Sequence, residues 1–366
     1  MYDHHLAHIA ALEAKFGTDS LEVATALHTL AMLICQSGKA AIAIPYFERS
    51  IRIGEALRGP ASLLPQLDEW INHKNSGGFK LLEPLFLKRL DVKAAALGDI
   101  SPGVAEECDF IASRYAAGNE PSKAVPFLER SLAIRTEIHG AESAEAAAPL
   151  EALVAVCLDA DEQELADRYC GRCLDVHEHS HGGESQETAK VLVKLGVAYV
   201  AGSNQKPSSV KAQRRQKAKV MFDAALTINE KLFEPDSLQI QKPLEAMARA
   251  YLDCRDFREA VPPLERLLGI SERAYGNNAA ALLWILVALA EAYAHDGSYK
   301  AEPMLERCFA VLRTFLDAKR PTLTSRIEDL SGSKDALYSH KFGLLEMLVA
   351  TSESIRFNTK KRWGWG

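Results

Sequence analysis

The sequence lacks several features that would assign it to a common functional class. Acidic residues number 49 against 43 basic ones, a net charge of −6 over 366 residues, so the overall charge makes nucleic-acid binding unlikely. The longest stretch without a charged or strongly polar residue, Ala279 to Ala290, is shorter than the roughly 20 residues of a membrane span. The first residues do not form a secretory signal. These absences predict a cytoplasmic protein without a membrane span.

Disulfide, catalytic and cofactor signatures are also missing. The seven cysteines are odd in number and irregularly spaced, which predicts reduced thiols, mostly in the core. No phosphate loop, dinucleotide turn, nucleophile elbow or His-Glu-x-x-His sequence is present. Cys170, Cys173, His177 and His181 imitate a zinc spacing, but residues 170 and 181 of one helix would lie roughly 16 Å apart. The sequence predicts no enzyme activity, no cofactor and no metal site.

What the sequence does contain is an internal repeat. The phrase Pro-Phe-Leu-Glu-Arg-Ser-Leu-Ala-Ile at 126–134 has related copies at 45–53, 84–92, 168–176, 220–228, 262–270 and 303–311. Successive copies are separated by 39, 42, 42, 52, 42 and 41 residues. Each is preceded by a segment such as Leu289-Ala-Glu-Ala-Tyr293, with large, small and aromatic residues on one helical face. The pattern predicts units of two antiparallel helices.

These units resemble the tetratricopeptide repeat, over roughly residues 25–315. The 42-residue period and the Glu-Arg-Ser-Leu-Ala-Ile phrase are most similar to the kinesin-light-chain class of that family. The resemblance implies an all-α fold, a right-handed superhelical solenoid of tandem helix-turn-helix repeats that binds proteins. The asparagine ladder of kinesin light chains is absent, so their cargo recognition is not carried over. Arg89 occupies a position where a small residue is expected, which predicts a distorted unit.

The array is predicted to span residues 1–318, with an insertion around 203–212. Residues 4–16 match a second helix without a first, so the array starts in mid-repeat and its N-terminal repeat could pair with another copy. Residues 319–366 are predicted to form C-terminal capping helices and a tail. The terminal Trp-Gly-Trp-Gly is read as a disordered tail or a short partner-binding motif.

The family's helix register predicts a partner-binding groove on the first helices. The groove would present residues of both charges and one tryptophan, which favours a protein or peptide partner without strong charge. Its predicted members are Asp109, Ser113, Glu151, Lys190, Glu245, Arg249, Trp284 and Glu291.

Three functional hypotheses follow. The first is a scaffold or adaptor that binds a partner peptide or helix in the groove. The second is a self-assembling scaffold that forms a homo-oligomer through the N-terminal repeat. The third is a regulatory module that binds RNA or a small anionic ligand near the insertion, through Lys211, Arg214, Arg215 and Lys217. Against the third, these basic residues are spread over several helix faces and no aromatic residues interleave them.

Overall fold

In a computed structural model of the chain, the described residues are 2–71, 79–202, 208–296 and 298–316. Within these ranges the regular structure consists of helices, and the all-α prediction is confirmed there. The α-helices are α1 (Asp3–Phe16), α2 (Leu21–Gln36), α3 (Ala40–Arg58), α4 (Leu64–Ile71), α5 (Phe79–Leu97), α6 (Pro102–Ala117), α7 (Pro121–His139), α8 (Ala147–Asp159), α9 (Gln163–His181), α10 (Gln186–Ala201), α11 (Ser208–Leu232), α12 (Gln241–Asp253), α13 (Phe257–Tyr275), α14 (Leu283–His295) and α15 (Ala301–Leu316).

The described chain divides into two compact units, with the boundary between Ser180 and His181. In the first unit α1 packs on α2, and the helices then pair as α2/α3, α4/α5, α6/α7 and α8/α9. In the second unit the pairs are α10/α11, α12/α13 and α14/α15. All seven copies of the repeated phrase lie in the second helix of a pair, as predicted. The proposed boundary at residue 318 and the segment 319–366 lie outside the described residues, as do residues 203–207 of the insertion.

Helix ends are set by local side chains. The Ser185 hydroxyl caps α10 by accepting from the Thr188 N–H at 3.0 Å, and Ser20 caps α2 in the same way. Most second helices end at a glycine with positive φ; at Gly140 after α7, φ is 97° and ψ is 157°. That combination is essentially restricted to glycine. It turns the chain from one repeat into the next.

The middle of each second helix contributes a buried residue to the interior of its repeat. The residue six positions into the phrase is small in most repeats, so the two helices of a pair can approach closely. All seven of these side chains are buried: Ser50, Arg89, Ser131, Cys173, Ala225, Leu267 and Cys308. In the α10/α11 pair the approach is closest at Gly196, where a Cβ atom would lie 2.6 Å from the Phe222 ring.

In several repeats, the arginine of the repeated Glu-Arg pair connects the second helix to the loop before its own repeat. In three repeats its guanidinium donates to a loop carbonyl and also meets a glutamate of the preceding second helix. These donations run from Arg49 to Thr18 at 3.0 Å, from Arg266 to Pro235 at 3.0 Å and from Arg307 to Asn277 at 3.3 Å. The phrase that reveals the repeat in the sequence is therefore partly a contact between successive repeats.

The α4/α5 repeat departs from the others, as Arg89 predicted. Its first helix, α4, is described over Leu64–Ile71. The buried Arg89 guanidinium lies 2.8 Å from the Glu107 carboxylate and 2.9 Å from Asp68. Lys93 adds a second cation 2.9 Å from Glu107, whose side chain is 2% exposed. Charged groups thus replace a small side chain in the interior of this repeat.

Candidate functional site

The predicted groove residues of the first unit are held by side chains of their own repeats. Asp109 on α6 forms an ion pair of 2.6 Å with Arg135 on α7. The Ser113 hydroxyl donates to the Phe110 carbonyl, one turn earlier in α6. Glu151 on α8 lies 3.4 Å from the His177 imidazole on α9. The two acids are therefore oriented by the second helix of their pair.

In the second unit the structure brings three predicted residues together at one surface. Glu245 and Arg249 lie one turn apart on α12 and form an ion pair of 2.8 Å. The Arg249 guanidinium carbon lies 4.9 Å from the ring centroid of Trp284, on α14. Trp284 is half-buried, whereas the Arg249 side chain is 58% exposed. We call Glu245, Arg249 and Trp284 the Trp284 surface.

The other two predicted groove residues of this unit lie elsewhere on its first helices. Lys190 is an exposed residue of α10 that pairs with Glu187 at 3.4 Å. Glu291 is half-buried near the end of α14, two turns beyond Trp284.

The basic stretch of α11 is largely used inside its own unit. The prediction of an anion contact is wrong for Arg214, because this side chain is fully buried and donates to the Gly202 carbonyl. Arg215 lies 2.6 Å from Asp256 at the start of α13. Burial raises the pKa of that carboxyl, and the guanidinium partly offsets the effect. Lys217 approaches the Tyr199 ring at 5.8 Å, and for Lys211, Arg215 and Lys217 the anion contact stays a prediction.

The sequence prediction missed a groove lined by residues of α13, α14 and α15. A cavity of about 390 Å³ is lined there by apolar side chains that include Leu268, Leu289 and Met304, with Glu265 and Lys300 among its polar members. Tyr299 at its edge is 86% exposed. An exposed tyrosine beside an apolar groove is typical of a contact surface. The groove forms where residues of two neighbouring repeats meet, and a repeat pattern does not reveal such contacts.

The structure also brings together three potential metal ligands. Their ligand atoms, on Glu151, Cys173 and His177, all lie within 4.8 Å of one another. The four-residue set excluded from the sequence was a different one, built along a single helix. Glu151 comes from the neighbouring helix α8, so the spacing of cysteines and histidines alone could not identify it. Cys170 and Cys173 are buried, as the repeat predicted.

None of the described helices is long and apolar enough to cross a bilayer. The structure therefore places no membrane-spanning segment within the described ranges.

Comparisons with known proteins agree with the repeat seen here. Residues 23–63, which cover α2, α3 and the following turn, match the family model of the tetratricopeptide repeat. The curated protein KINESIN LIGHT CHAIN-RELATED 1 of Arabidopsis thaliana is 25% identical over 201 residues. That alignment covers 50% of this chain and 31% of the relative. The chain thus spans about a third of the length of that relative.

Two solved structures are similar to this chain. One is a putative kinesin light chain of Podosopora anserina with nearly identical TPR-like repeats, at 20% identity and a TM-score of 0.44. It covers 59% of this chain and 98% of its own. The other is BtubC (BKLC) from P. vanneervenii, at 16% identity and a TM-score of 0.42, which covers 72% of this chain and 93% of its own.

Proposed function

We propose that this chain, which carries tetratricopeptide repeats of the kinesin-light-chain type, is a non-enzymatic scaffold that binds a partner protein through the Trp284 surface. The observation that carries the proposal is the stack of Arg249 over the half-buried Trp284 ring. Tryptophan and arginine are the residues most enriched among those that dominate binding energy at protein interfaces.

The Trp284 surface is organised before any partner arrives. Glu245 forms an ion pair of 2.8 Å with Arg249, and the guanidinium carbon lies 4.9 Å from the centroid of the Trp284 ring. Because these side chains are already held in place, less side-chain entropy is lost when a partner binds here than at a surface of mobile side chains. The exposed part of the guanidinium remains able to donate to a carbonyl or carboxylate.

The chemistry of the surface indicates the kind of partner. The half-buried ring of Trp284 favours an apolar or aromatic side chain, and Arg249 favours an acceptor close to it. Glu245 next to Arg249 keeps the local charge mixed, so a strongly charged ligand gains little. An amphipathic helix or an extended peptide with one apolar anchor fits these requirements.

The test is capture of partners by the tagged full chain from extracts of its native cells, compared with Arg249→Glu and with Trp284→Ala. We expect a specific protein to be retained by the wild type and lost from both variants. Arg249→Glu is the cleaner change, because the side chain is mostly exposed and its loss should leave the fold intact. Arg172→Ala, an exposed change on α9, serves as the matched control and should retain the partner.

Circular dichroism melting of each variant separates lost binding from lost folding. A partner that binds Arg249→Glu and Trp284→Ala as well as the wild type would overturn the proposal for this surface. Direct titration of the captured protein against the purified variants would then locate the surface that it uses.

Self-assembly through α1 is a second candidate, supported by two exposed apolar side chains. Leu6 and Phe16 on α1 remain 41% and 45% exposed after packing on α2. Light scattering across a range of concentrations tests it. A mass that rises with concentration, and that falls for Leu6→Ser with Phe16→Ser, supports it; a constant monomer mass excludes it.

A further inference from the structure

A Cys, a His and a Glu side chain converge at the seam between α8 and α9. Cys173 and His177 are one turn apart on α9, so both side chains lie on the same face of that helix. Glu151 faces them from α8, and its Oε1 atom lies 3.4 Å from Nε2 of His177. Thiolate, imidazole and carboxylate are the three ligand types that zinc uses in proteins.

The preceding repeat fills the same three positions with a different set of residues. Exactly one 42-residue period earlier stand Asp109, Ser131 and Arg135. Arg135 forms an ion pair of 2.6 Å with Asp109, and its Nε atom donates to the Ser131 hydroxyl at 3.3 Å. In that repeat a permanently charged guanidinium neutralises the acid of the first helix.

In the α8/α9 repeat the residues at all three positions are different, and each of the three side chains can bind a metal ion. The acid is kept as Glu151, the permanent cation is replaced by His177, and the serine is replaced by Cys173. A guanidinium cannot bind a metal ion, whereas an imidazole and a thiolate both can. Where the preceding repeat has the guanidinium of Arg135, this repeat thus has a set of ligands suited to a divalent cation.

We propose that Glu151, Cys173 and His177 bind a zinc-class divalent cation that fastens α8 to α9. Zinc bonds of about 2.0–2.3 Å place neighbouring tetrahedral ligand atoms roughly 3.3–3.8 Å apart. The Glu151–His177 distance of 3.4 Å already falls in this range, and the whole set lies within 4.8 Å. Small side-chain rotations close the remaining gap.

Three protein ligands leave a fourth coordination position. The side chains of His177 and Glu151 are 11% and 22% exposed, while Cys173 is fully buried. Solvent can therefore reach the site from the glutamate side, and a water molecule can occupy the fourth position. The cation would take the structural role of Arg135, with its charge placed against Glu151.

The test is metal binding by the purified full chain after treatment with a chelator. All samples carry His4→Gln, His5→Gln and His8→Gln, since these residues line a groove at α1 and could bind metal independently. We expect one equivalent of Zn²⁺ to bind and to raise the melting temperature. Co²⁺ in its place should give a thiolate charge-transfer band and the intense visible bands of a tetrahedral site.

The matched variant carries the residues of the preceding repeat: Glu151→Asp, Cys173→Ser and His177→Arg. Because this combination forms an ion pair one repeat earlier, we expect it to fold, to lose the stoichiometric Zn²⁺ and to show no cobalt–thiolate band. The single change Cys173→Ser should abolish the charge-transfer band alone. The proposal is overturned if the wild type takes up no zinc, or if the triple variant takes up as much as the wild type.

Discussion

The α4/α5 repeat and the α6/α7 repeat follow one sequence template but fill their interiors with different chemistry. Ser131 is buried between α6 and α7, and its small side chain allows the two helices to pack closely. Arg89, at the equivalent position of α5, is buried among Asp68 and Glu107.

This difference shows how the template tolerates a charge at a core position. Glu107 belongs to α6, the first helix of the next repeat, and it accepts from both Arg89 and Lys93 of α5. Repeats of a solenoid are normally joined by apolar contacts between neighbours. At this junction a buried ion-pair network joins them, and the stability of one repeat depends on an acid from the next.

The largest effect is expected from Glu107→Gln. It leaves Arg89 and Lys93 close together with only the half-exposed Asp68 to balance them, and removing one partner of a buried ion pair costs about 3–5 kcal/mol. Chemical denaturation of the full chain measures the loss of unfolding free energy. Breaking the exposed pair of Arg130 and Asp99 with Arg130→Ala serves as the control and should cost roughly 0–1 kcal/mol. Equal costs for the two variants would contradict the network interpretation.

Much of this fold could be predicted because the repeat is periodic. A nearly constant step of about 42 residues, with one expansion, assigns every phrase to the same place in a helix pair, and the structure confirms that place in all seven copies. That the repeat at Arg89 differs from the others could also be predicted, since a long charged side chain takes the place of a small one. Its partner Glu107 could not, because the contact joins two repeats and no period relates the two residues.

The candidate site was less accessible to sequence reasoning. Trp284 could be placed on a first helix by the period, but its stack with Arg249 depends on side-chain rotamers of two helices. The basic stretch predicts an anion contact for Arg214, yet the structure buries this side chain. Periodicity reports which face of a helix points inward. It does not report that a charged side chain on that face finds a carbonyl acceptor.

A smaller effect should follow from crowding the apolar interior of the second unit with Gly196→Ala. The added Cβ atom would lie 2.6 Å from the Phe222 ring, so α10 and α11 must move apart. Overpacking of this kind costs typically about 1–3 kcal/mol. Gly171→Ala in the exposed part of α9 meets no atom within 4 Å and should stabilise the chain by roughly 0.5–1 kcal/mol. In chemical denaturation, a lower free energy of unfolding for Gly196→Ala and a higher one for Gly171→Ala would confirm these expectations. An unchanged free energy of unfolding for Gly196→Ala would refute the close approach of α10 and α11.

At about pH 8.5 the smallest effect is expected from the buried thiols, and it separates the thiol-containing interiors from the ionic one. Burial raises the pKa of Cys108 to about 11 and that of Cys308 to about 12. An unfolded thiol loses its proton near pH 8.5, so between these values the unfolded state binds fewer protons than the folded state. Stability is therefore fully present below about pH 8.5 and falls as the pH rises, by at most about 1.4 kcal/mol per pH unit for each thiol.

Denaturation between about pH 8.5 and 10 isolates this effect, because tyrosines ionise above that range. Cys108→Ala with Cys308→Ala should lower stability at every pH through the lost packing, but should flatten its decline with pH. Glu107→Gln should shift the curve downward and change its slope only slightly, because burial is the largest cause of the raised pKa of Cys108 and the charge of Glu107 is a smaller one. If the cysteine variant kept the slope of the wild type, the loss of unfolding free energy at alkaline pH would have to come from groups other than these two thiols. The interiors that contain the thiols would then be no more sensitive to alkali than the α4/α5 network.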